Sequence, residues 1–288
     1  MRIGFIGLGV MGTPMAKNLL DAGHDLQVHR VKERSQHLVD AGATAASTPA
    51  AAAAEAEAVI LMLPDTPDVE TVLRGEDGVL AGLADGALVI DMSSISPVRT
   101  ERLAAAVRET GGGWVDAPVS GGEVGARDGA LTIFVGGEDA DVERAMPLLE
   151  ILGARVTHMG PPGAGQATKV VNQVIVGMTI EAVAEGLALA EASGIDPERV
   201  RAALDGGFAS SRILELHGQR MVERAFDPGF RLRLHRKDLR LAEDVAAHRG
   251  LTLPGIEVVA AQMDEAISRQ WQELDHSALF RLFGEDFR

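Results

Sequence analysis

Three glycines near the start of the chain, at positions 7, 9 and 12, lie between a short β-rich run at residues 2–6 and an amphipathic helical pattern that ends at Gly23. The spacing G-x-G-x-x-G allows a parallel strand to turn tightly into a helix, admits a pyrophosphate to the backbone and lets the helix pack closely on the strand. Such a motif alone also occurs in turns without a ligand, but here strand, turn and helix come in the required order. The sequence therefore predicts a dinucleotide-binding unit whose cofactor contacts come from Gly7, Leu8, Gly9, Val10, Met11 and Gly12.

Strand and helix patterns then alternate regularly up to about residue 160. Apolar runs at residues 59–63 and 87–92 predict buried strands, and each is followed by a proline-started helix. This alternation predicts the α/β class with a Rossmann-type doubly wound sheet. Since ligands bind at the carboxyl ends of the strands in such sheets, Leu63, Pro64 and Ser94 are expected along the cofactor cleft.

The β-rich segments stop at the glycine- and proline-rich stretch 160–165, and helical periodicity follows from about residue 166 to residue 193. Every later apolar pattern is helical. The sequence thus predicts two domains, a nucleotide-binding domain at residues 1–162 and an all-helical domain at residues 163–288 that begins with a long interdomain helix.

The formal net charge of −15 opposes binding to nucleic acid or anionic lipid, both of which need a basic face. The longest apolar run, residues 170–192, contains Asn172, Gln173 and three glutamates, so no membrane span is expected. The chain has no cysteine and its first strand starts at Arg2, which favours the reducing cytoplasm. These features favour chemistry on small molecules.

The chain contains no cysteine and no tyrosine, which excludes a thiolate nucleophile, a cysteine-bound zinc ion and a tyrosine general acid. The eight histidines show no metal-binding spacing, so no metal is expected. A proton donor must come from lysine, histidine or a carboxyl group. Lys169 is the first candidate, because it shares one helix face with Asn172 and Gln173 among apolar neighbours, where desolvation favours the neutral amine. The alternative is a structural lysine whose amine reaches solvent.

Two loops complete the predicted site. The predicted carboxylate-binding loop follows a strand and offers a hydroxyl and backbone N–H groups from Ser120, Gly121 and Gly122. An ordinary loop explains the same pattern equally well. The second strand ends at His29 and Arg30, where NAD-binding domains usually carry Asp or Glu. Positive charge there suits a 2′-phosphate, so NADP(H) is favoured over NAD(H). An ordinary basic surface loop is the alternative.

Several longer segments resemble the β-hydroxyacid dehydrogenases, and the resemblance covers nearly the whole chain. The matching segments are G-F-I-G-L-G-V-M-G-T-P-M-A-K-N-L at 4–19, D-M-S-S at 91–94, D-A-P-V-S-G-G at 116–122, G-A-G-Q-A-T-K-V-V-N-Q at 163–173, P-G-F at 228–230, K-D-L at 237–239 and D-H-S-A-L at 275–279. The resemblance implies NAD(P)H-dependent reduction of a small carboxylated aldehyde to the hydroxy acid. His29 departs from the pattern, because some close relatives carry Asp there.

The resemblance also implies a role for each matching residue. Lys169 would be the general acid, and Asn172, the second catalytic residue, would help to position the substrate. Gln173, next to Asn172, is a further candidate for binding the substrate. The substrate carboxylate would be bound by Ser120, Gly121 and Gly122, while Ser94 and Lys237 would face the cofactor. The remaining two implied site residues, which would close the site from the helical domain, are Phe230 and Asp238.

The substrate stays open among several semialdehydes. Within the family, the resemblance is greatest to reductases of 2-hydroxy-3-oxopropionate (tartronate semialdehyde), which form glycerate; 3-hydroxyisobutyrate oxidation and reduction of glyoxylate or succinic semialdehyde are the alternatives. A nucleotide-binding sensor or scaffold without catalysis is a further alternative. Lys169 and Asn172 argue against it, since a sensor has no need of a buried amine beside the nicotinamide.

The helical domain is expected to join subunits. Members of the family are dimers or tetramers built through this domain, so a homodimer or homotetramer is implied. The sequence itself shows more apolar positions in this half than a small bundle readily covers, among them Leu187, Leu189, Ile213, Leu214, Val258, Val259 and Ile267.

Overall fold

A computed structural model describes residues 1–283, so residues 284–288 of the predicted second domain lie outside the described residues. The chain divides into two compact units, one from Met1 to Lys169 and one from Val170 onward. The division falls within a single continuous helix.

The first unit is built on one sheet. The described residues form nine strands: β1 (Arg2–Ile6), β2 (Asp25–His29), β3 (Thr44–Ala46), β4 (Ala58–Leu61), β5 (Leu88–Asp91), β6 (Gly113–Asp116), β7 (Val119–Ser120), β8 (Thr132–Gly137) and β9 (Arg155–Gly160). The first six strands are parallel, in the spatial order β3-β2-β1-β4-β5-β6. Strand β8 then pairs antiparallel with β6 and β7 and parallel with β9. The order with β1 central is that of the Rossmann sheet.

Helices connect these strands. The helices of the first unit are α1 (Gly12–Asp21), a 3-10 turn (Glu33–Ser35), α2 (Gln36–Asp40), α3 (Pro49–Ala53), α4 (Thr66–Arg74), α5 (Val79–Gly82), α6 (Pro97–Glu109), α7 (Gly122–Arg127) and α8 (Asp139–Leu152). They cover two separate apolar clusters, one that includes Phe5, Met15 and Leu149 and one that includes Leu61, Leu73 and Trp114. Strands β4, β5 and β6 are buried along their whole length, as strands covered by helices must be.

The second unit consists of helices around its own apolar cluster, which includes Ile180, Met263 and Phe280. The elements that follow α8 and β9 are α9 (Ala164–Ala192), α10 (Pro197–Leu204), α11 (Arg212–Glu223), α12 (Leu232–Arg249), α13 (Pro254–Ser268) and a final 3-10 segment (His276–Phe283). Side chains of Asp196 and Ser211 cap α10 and α11, and a left-handed Gly250 ends α12. The predicted fold class, a Rossmann-type sheet followed by helices, is confirmed.

Helix α9 is long and apolar enough to span a membrane by length and composition, with a mean hydropathy of 1.5 over its most apolar stretch. The core helix of a globular domain passes the same test. Helix α9 also carries Gln166, Lys169, Gln173 and Glu181 as buried polar residues. Such residues are costly inside a bilayer and are expected where a helix serves a polar site.

Most of the apolar positions that the sequence left uncovered are covered within the second unit. Leu187, Leu214 and Val259 are buried, and Ile213 and Ile267 are half-buried against the same cluster. Leu189 and Val258 remain exposed. Five of the seven residues are therefore covered by the packing of the helices within the second unit, and two remain exposed.

Candidate active site

The turn after β1 needs its glycines for reasons of space. Gly7 has a φ of +111°, and a Cβ atom there would lie 2.2 Å from the Met62 carbonyl oxygen. A Cβ atom on Gly12 would lie 2.0 Å from the Gly7 carbonyl oxygen, whereas one on Gly9 would meet nothing within 4 Å. The first and third glycines thus fit strand, turn and helix together, and the second leaves open space at the turn. This is the room that a pyrophosphate requires.

The helix that follows offers free N–H groups at that space. Helix α1 has Met11 as its N-cap, and no side chain of the described residues caps it. The first N–H groups of a helix have no partner within the helix and attract anions. Leu8 is buried beneath the turn, while Val10 and Met11 are half-buried beside it. The residues of the turn therefore fit a dinucleotide.

His29 and Arg30, at the end of β2, differ in their contacts and in their exposure to solvent. The ring nitrogen Nδ1 of His29 lies 3.2 Å from the Ala46 carbonyl oxygen on the neighbouring strand β3. Arg30 has a φ of +59° and is exposed, as is Lys32. A non-glycine residue in this left-handed conformation is uncommon. It turns the chain sharply where the strand ends, so two cations follow β2 at the sheet edge that binds ligands in this fold.

The ends of β4 and β5 are joined by a buried hydroxyl. The Leu63 N–H donates to Ser93 Oγ at 2.9 Å, and the Ser93 N–H donates to Asp91 Oδ1 at 3.1 Å. The two loops that carry the predicted cofactor contacts, after β4 and after β5, are therefore joined by hydrogen bonds. Pro64 is exposed next to Leu63, and Ser94 is half-buried next to Ser93.

Gln166, in the first turn of α9, fixes the same loop from the other side. Its Nε2 donates to the Ser93 carbonyl at 2.8 Å, and its Oε1 accepts from the Ile95 N–H at 3.0 Å. The side chain is fully buried. Both ends of one amide thus clamp the backbone that carries Ser94, a function that the sequence analysis did not assign to Gln166.

The start of α9 is capped by Asp116 at the end of β6. Its Oδ1 accepts from the Gly163 N–H at 2.7 Å and its Oδ2 accepts from the Gln166 N–H at 3.0 Å. Burial raises the pKa of Asp116, and these backbone N–H groups act against the rise. The sequence analysis quoted Asp116 only as part of a family motif. A buried acid directly after an apolar strand was the signal that could have identified it.

Ser120, Gly121 and Gly122 form the link between β7 and α7. The two glycines have φ values of +133° and +62°, and α7 begins at Gly122. Ser120 is half-buried at the end of β7, which pairs with Thr132 on β8. The sequence predicted a flexible loop here and missed the short helix, because two successive glycines favour turns.

Lys169, Asn172 and Gln173 lie on α9, spaced i, i+3 and i+4 as the sequence predicted. Lys169 is 8% exposed and Gln173 is 4% exposed, while Asn172 is half-buried. Asn172 Nδ2 donates to Gln173 Oε1 at 2.8 Å. An amine this well buried is rare unless it is paired or has a chemical function.

The second unit gathers four of the residues to which the sequence assigned roles. Gln173 Nε2 donates to Asp238 Oδ2 at 2.6 Å, and Lys237 Nζ lies 2.8 Å from Asp238 Oδ1. Lys237 and Asp238 are both buried. Asn172, Gln173, Asp238 and Lys237 therefore form one continuous polar network between α9 and α12.

Phe230 lies in the loop before α12 and is half-buried. Its backbone N–H donates to Asp275 Oδ2 at 3.0 Å, and its carbonyl accepts from the His276 N–H at 3.0 Å. Its ring centroid lies 5.5 Å from that of His276 and 5.9 Å from that of His235. Phe230 thus belongs to a cluster of rings held to the final segment of the described chain.

Asp275 organises this loop. Its oxygens accept four hydrogen bonds, from the N–H groups of Gly229 and Phe230 and from the N–H and hydroxyl of Ser277. Burial alone would raise the pKa of Asp275, but the hydrogen bond from His217 and these donors hold it well below its usual range. Sequence reasoning gave Asp275 no role beyond the family segment.

Histidines far apart in sequence meet beside Asp275. Ligand atoms of His217, Asp275 and His276 lie within 4.8 Å of one another, an arrangement of metal-ligand type that spacing in the sequence did not reveal. The Asp275 oxygens already accept protein donors, and His276 Nδ1 lies 2.8 Å from His235 Nδ1. Burial lowers the pKa of His276 well below its ordinary value, which favours the neutral ring. The arrangement reads as a hydrogen-bonded cluster.

Comparisons with known proteins agree with this construction. The family profile of the NAD binding domain of 6-phosphogluconate dehydrogenase matches residues 2–160, and that of the NAD-binding domain of NADP-dependent 3-hydroxyisobutyrate dehydrogenase matches residues 163–283. The chain is 50% identical to 2-hydroxy-3-oxopropionate reductase of Escherichia coli strain K12 over 97% of its length and 96% of that protein. It is 37% identical to NAD-dependent L-serine dehydrogenase of Pseudomonas aeruginosa over 98% of its length and 97% of that protein.

Among solved structures, the fold is similar to that of 3-hydroxyisobutyrate dehydrogenase from Mycobacterium tuberculosis with L-serine, with a TM-score of 0.88 and 32% identity over 98% of both chains. These proteins are oxidoreductases with nicotinamide-cofactor domains, and their names specify small-molecule substrates. The sequence, the sheet order and the glycine turn all agree with them. The chain therefore belongs to the β-hydroxyacid dehydrogenase family and is an NAD(P)-dependent oxidoreductase related to 3-hydroxyisobutyrate dehydrogenase.

Proposed function

We propose that this enzyme reduces 2-hydroxy-3-oxopropionate to glycerate, with NADPH preferred over NADH. The observation that carries the proposal is the buried face of α9 that presents Lys169, Asn172 and Gln173. The choice of aldehyde is supported by the 50% identity with the Escherichia coli reductase of that name. The reaction consumes one hydride and one proton for each aldehyde.

The turn from Gly7 to Gly12 would hold the pyrophosphate of the cofactor. Gly9 leaves open space there, and the N–H groups at the start of α1 attract anions. Leu63, Pro64, Ser94 and Lys237 would hold the rest of the cofactor. The nicotinamide, when bound, supplies the hydride for the aldehyde carbon. We propose that residues 1–162 mainly bind the cofactor, although Ser120, Gly121 and Gly122 would bind the substrate. Residues 163–288 would mainly provide substrate and subunit contacts, although Lys237 would face the cofactor.

Lys169 supplies the proton in this proposal. In its protonated form, the amine would donate a proton to the aldehyde oxygen as negative charge develops on that oxygen. The buried position strengthens this effect, since electrostatic stabilisation is greater where water is excluded. In the oxidation direction, the neutral amine would accept the proton from the hydroxyl group.

Substrate orientation falls to two groups of residues. Ser120 and the N–H groups of Gly121 and Gly122 would bind the carboxylate, since neither glycine has a side chain to cover the backbone at the start of α7. Asn172 and Gln173 would hold the substrate beside Lys169, with Asp238 fixing Gln173 through the 2.6 Å hydrogen bond. Phe230 would cover the site and exclude water.

The cofactor preference rests on the end of β2. Arg30 and Lys32 are exposed there, and the strand ends at His29, where an acid would bind a ribose hydroxyl. A guanidinium group binds a phosphate by paired hydrogen bonds. NADPH carries that extra phosphate and NADH does not.

A second substrate class is supported by the comparisons. One relative is named L-serine dehydrogenase, and the similar Mycobacterium tuberculosis structure is a 3-hydroxyisobutyrate dehydrogenase with L-serine. Glycerate, L-serine and 3-hydroxyisobutyrate share a carboxylate and a primary alcohol separated by one carbon. They differ only at that carbon, which carries a hydroxyl, an amino or a methyl group.

The test is a steady-state panel. Reduction of 2-hydroxy-3-oxopropionate, methylmalonate semialdehyde, glyoxylate and succinic semialdehyde is measured with NADPH and with NADH, and oxidation of L-serine and 3-hydroxyisobutyrate with NADP⁺ and NAD⁺. We expect the highest kcat/KM for 2-hydroxy-3-oxopropionate with NADPH. A higher value for methylmalonate semialdehyde or for L-serine would replace this substrate with the second class, and activity on none would overturn the proposal.

We also propose that the enzyme is a homodimer or homotetramer joined through the helical unit. The support is a row of apolar side chains along the outer side of α9. We call this row the α9 stripe; it comprises Val171, Ile175, Met178 and Leu189, which are 57%, 60%, 43% and 68% exposed. A second copy of the chain is the partner that we assign to it.

A further inference from the structure

Helix α9 contains a glycine, Gly177, at an interior position that side chains of helix α12 approach closely. A Cβ atom on Gly177 would lie 3.3 Å from His235 Nε2 and 3.4 Å from Leu239 Cδ2. Glycine weakens a helix interior relative to alanine, so its presence here goes with a close approach. The bare backbone at Gly177 leaves room for the His235 ring against α9.

The His235 ring uses that room to reach a backbone carbonyl. Its Nε2 lies 3.1 Å from the carbonyl oxygen of Gln173, one helical turn before Gly177. A carbonyl oxygen only accepts hydrogen bonds, so Nε2 carries the hydrogen. The bond adds a side-chain donor to a carbonyl that lies at the centre of the polar network of the second unit.

His276 fixes the tautomer of His235. The two Nδ1 atoms lie 2.8 Å apart, so one of them donates and the other accepts. With its hydrogen on Nε2, a neutral His235 accepts at Nδ1, and His276 donates from its own Nδ1. His276 is held in turn by its backbone N–H bond to Phe230 and by the His217 ring, whose Nε2 lies 3.4 Å from His276 Nε2.

The side chain of Gln173 connects this backbone position to residues that we place at the substrate. Its side chain accepts from Asn172 Nδ2 and donates to Asp238 Oδ2, and Asp238 pairs with Lys237. The positions of the Asn172 and Gln173 side chains therefore depend on the position of the backbone that carries them. A shift of about 1 Å at such a point can lower turnover about 100-fold.

We infer that His235 is a positioning residue, which holds the Gln173 backbone through its Nε2–H bond and is itself kept in the required tautomer by His276. The inference rests on the proposed function, because it assigns Asn172 and Gln173 to the substrate. In this inference the reaction also depends on a buried pair of imidazole rings, and neither ring touches the reacting atoms.

Two amide substitutions separate positioning from simple packing. The amide nitrogen of glutamine reaches the place of a histidine Nε2, whereas that of asparagine reaches only the place of Nδ1. His235→Gln thus retains a donor for the Gln173 carbonyl, and His235→Asn loses it. His235→Asn keeps a polar atom beside His276, and His235→Gln does not. A role through His276 alone therefore predicts the greater loss of kcat in His235→Gln, and a purely structural role predicts losses of kcat that follow the losses of thermal stability.

We expect His235→Asn to lower kcat by about 10- to 100-fold, with the KM for NADPH unchanged, and His235→Gln to recover most of the loss. His248→Gln, on the exposed side of the same helix α12, is the matched control and should behave as the wild type. Equal kcat values for the asparagine and glutamine variants would overturn the inference, as would wild-type turnover in His235→Asn.

Gly177→Ala is the second test if His235→Asn does not fold. The added methyl group would press on His235 Nε2 while it strengthens the intrinsic helix preference of α9. We expect a lower kcat with an unchanged KM for NADPH, and an unchanged kcat would contradict the inference. Lys169→Ala is assayed in parallel: if it retains turnover, the proposed function fails, whereas loss in Lys169→Ala with full activity in the histidine variants rejects positioning alone.

Discussion

At the scale of single residues, the proposed chemistry depends on a few polar groups with unusual surroundings. Lys169 is buried on a helix whose other inward residues are mainly apolar, and Arg30 is exposed with a left-handed backbone at the end of a strand. Each departs from the ordinary position of its residue type. These departures supply the predictions for catalysis and for cofactor choice.

Lys169→Ala should remove most turnover while it leaves the fold and the cofactor affinity intact. A general acid typically contributes about 10²- to 10⁴-fold to the rate, and alanine cannot donate a proton. The measurement is kcat with the preferred aldehyde, together with NADPH binding followed by fluorescence. Lys17→Ala, an exposed lysine paired with Asp21, is the control. Turnover near that of the wild type would rule out Lys169 as proton donor.

Arg30→Asp should raise the KM for NADPH far more than the KM for NADH. The substitution replaces attraction to the 2′-phosphate with repulsion, and NADH has no group to repel at that position. Arg155→Asp, an exposed arginine at the start of β9, makes the same charge change elsewhere in the unit. If Arg30→Asp affects both cofactors equally, Arg30 lies outside the cofactor pocket.

The sequence predicted these residues better than it predicted what supports them. Lys169, Asn172 and Gln173 were recognisable because helical spacing fixes which side chains share a face. Gln166, Asp116 and His235 were not assigned roles, because their partners are distant in sequence: Gln166 holds Ser93, and His235 meets His276. Only the fold brings such pairs together.

At the scale of elements, helices with strong end signals were predicted closely. The helical patterns at residues 139–152 and 197–204 predict helices with the bounds that α8 and α10 have in the structure. In α10, Asp196 caps the helix before Pro197. Strand β3 was missed, since it is three residues long and two of them are exposed. The apolar pattern at residues 114–119 predicts one strand, but the structure has two, β6 and β7, because Pro118 cannot donate to a ladder.

Helix α9 carries a carboxyl group that makes its stability depend on pH. Burial raises the pKa of Glu181 to about 7, with a smaller contribution from the charge of Glu185. The unfolded chain loses this proton near the ordinary pKa of 4.5, whereas the folded chain retains it until about pH 7. Ionisation of Glu181 therefore lowers the free energy of unfolding increasingly as the pH rises from 4.5 to 7.

Glu181→Gln should raise the free energy of unfolding at pH 8 by up to about 3 kcal/mol, since a shift of one pKa unit corresponds to about 1.4 kcal/mol. At pH 4.5 the two proteins should differ little, because Glu181 is protonated in the folded chain. Urea unfolding at both pH values measures the difference. Glu185→Gln, one turn away and exposed, should change stability much less. A gain that is equal at both pH values would contradict the titration of Glu181.

At the scale of the whole molecule, each of the two units has its own apolar core, and α9 belongs to both. The net charge of −15 keeps separate molecules apart at low salt. Association through an apolar surface therefore competes with charge repulsion, and physiological salt reduces that repulsion. In our proposal, the α9 stripe is the apolar surface through which the subunits associate.

The wild-type protein should have the mass of two or four chains when light scattering is measured during gel filtration at micromolar concentration and physiological salt. Four large apolar side chains along one helix are costly to leave in water, and a second copy can cover all of them at once by two-fold symmetry. Ile175→Glu should shift the mass to that of one chain, because it places a charge in the middle of the stripe. Val124→Glu, equally exposed but on α7 of the first unit, should leave the mass unchanged. A wild-type mass near that of one chain would refute the assembly, and an unchanged mass in Ile175→Glu would place the interface on another surface.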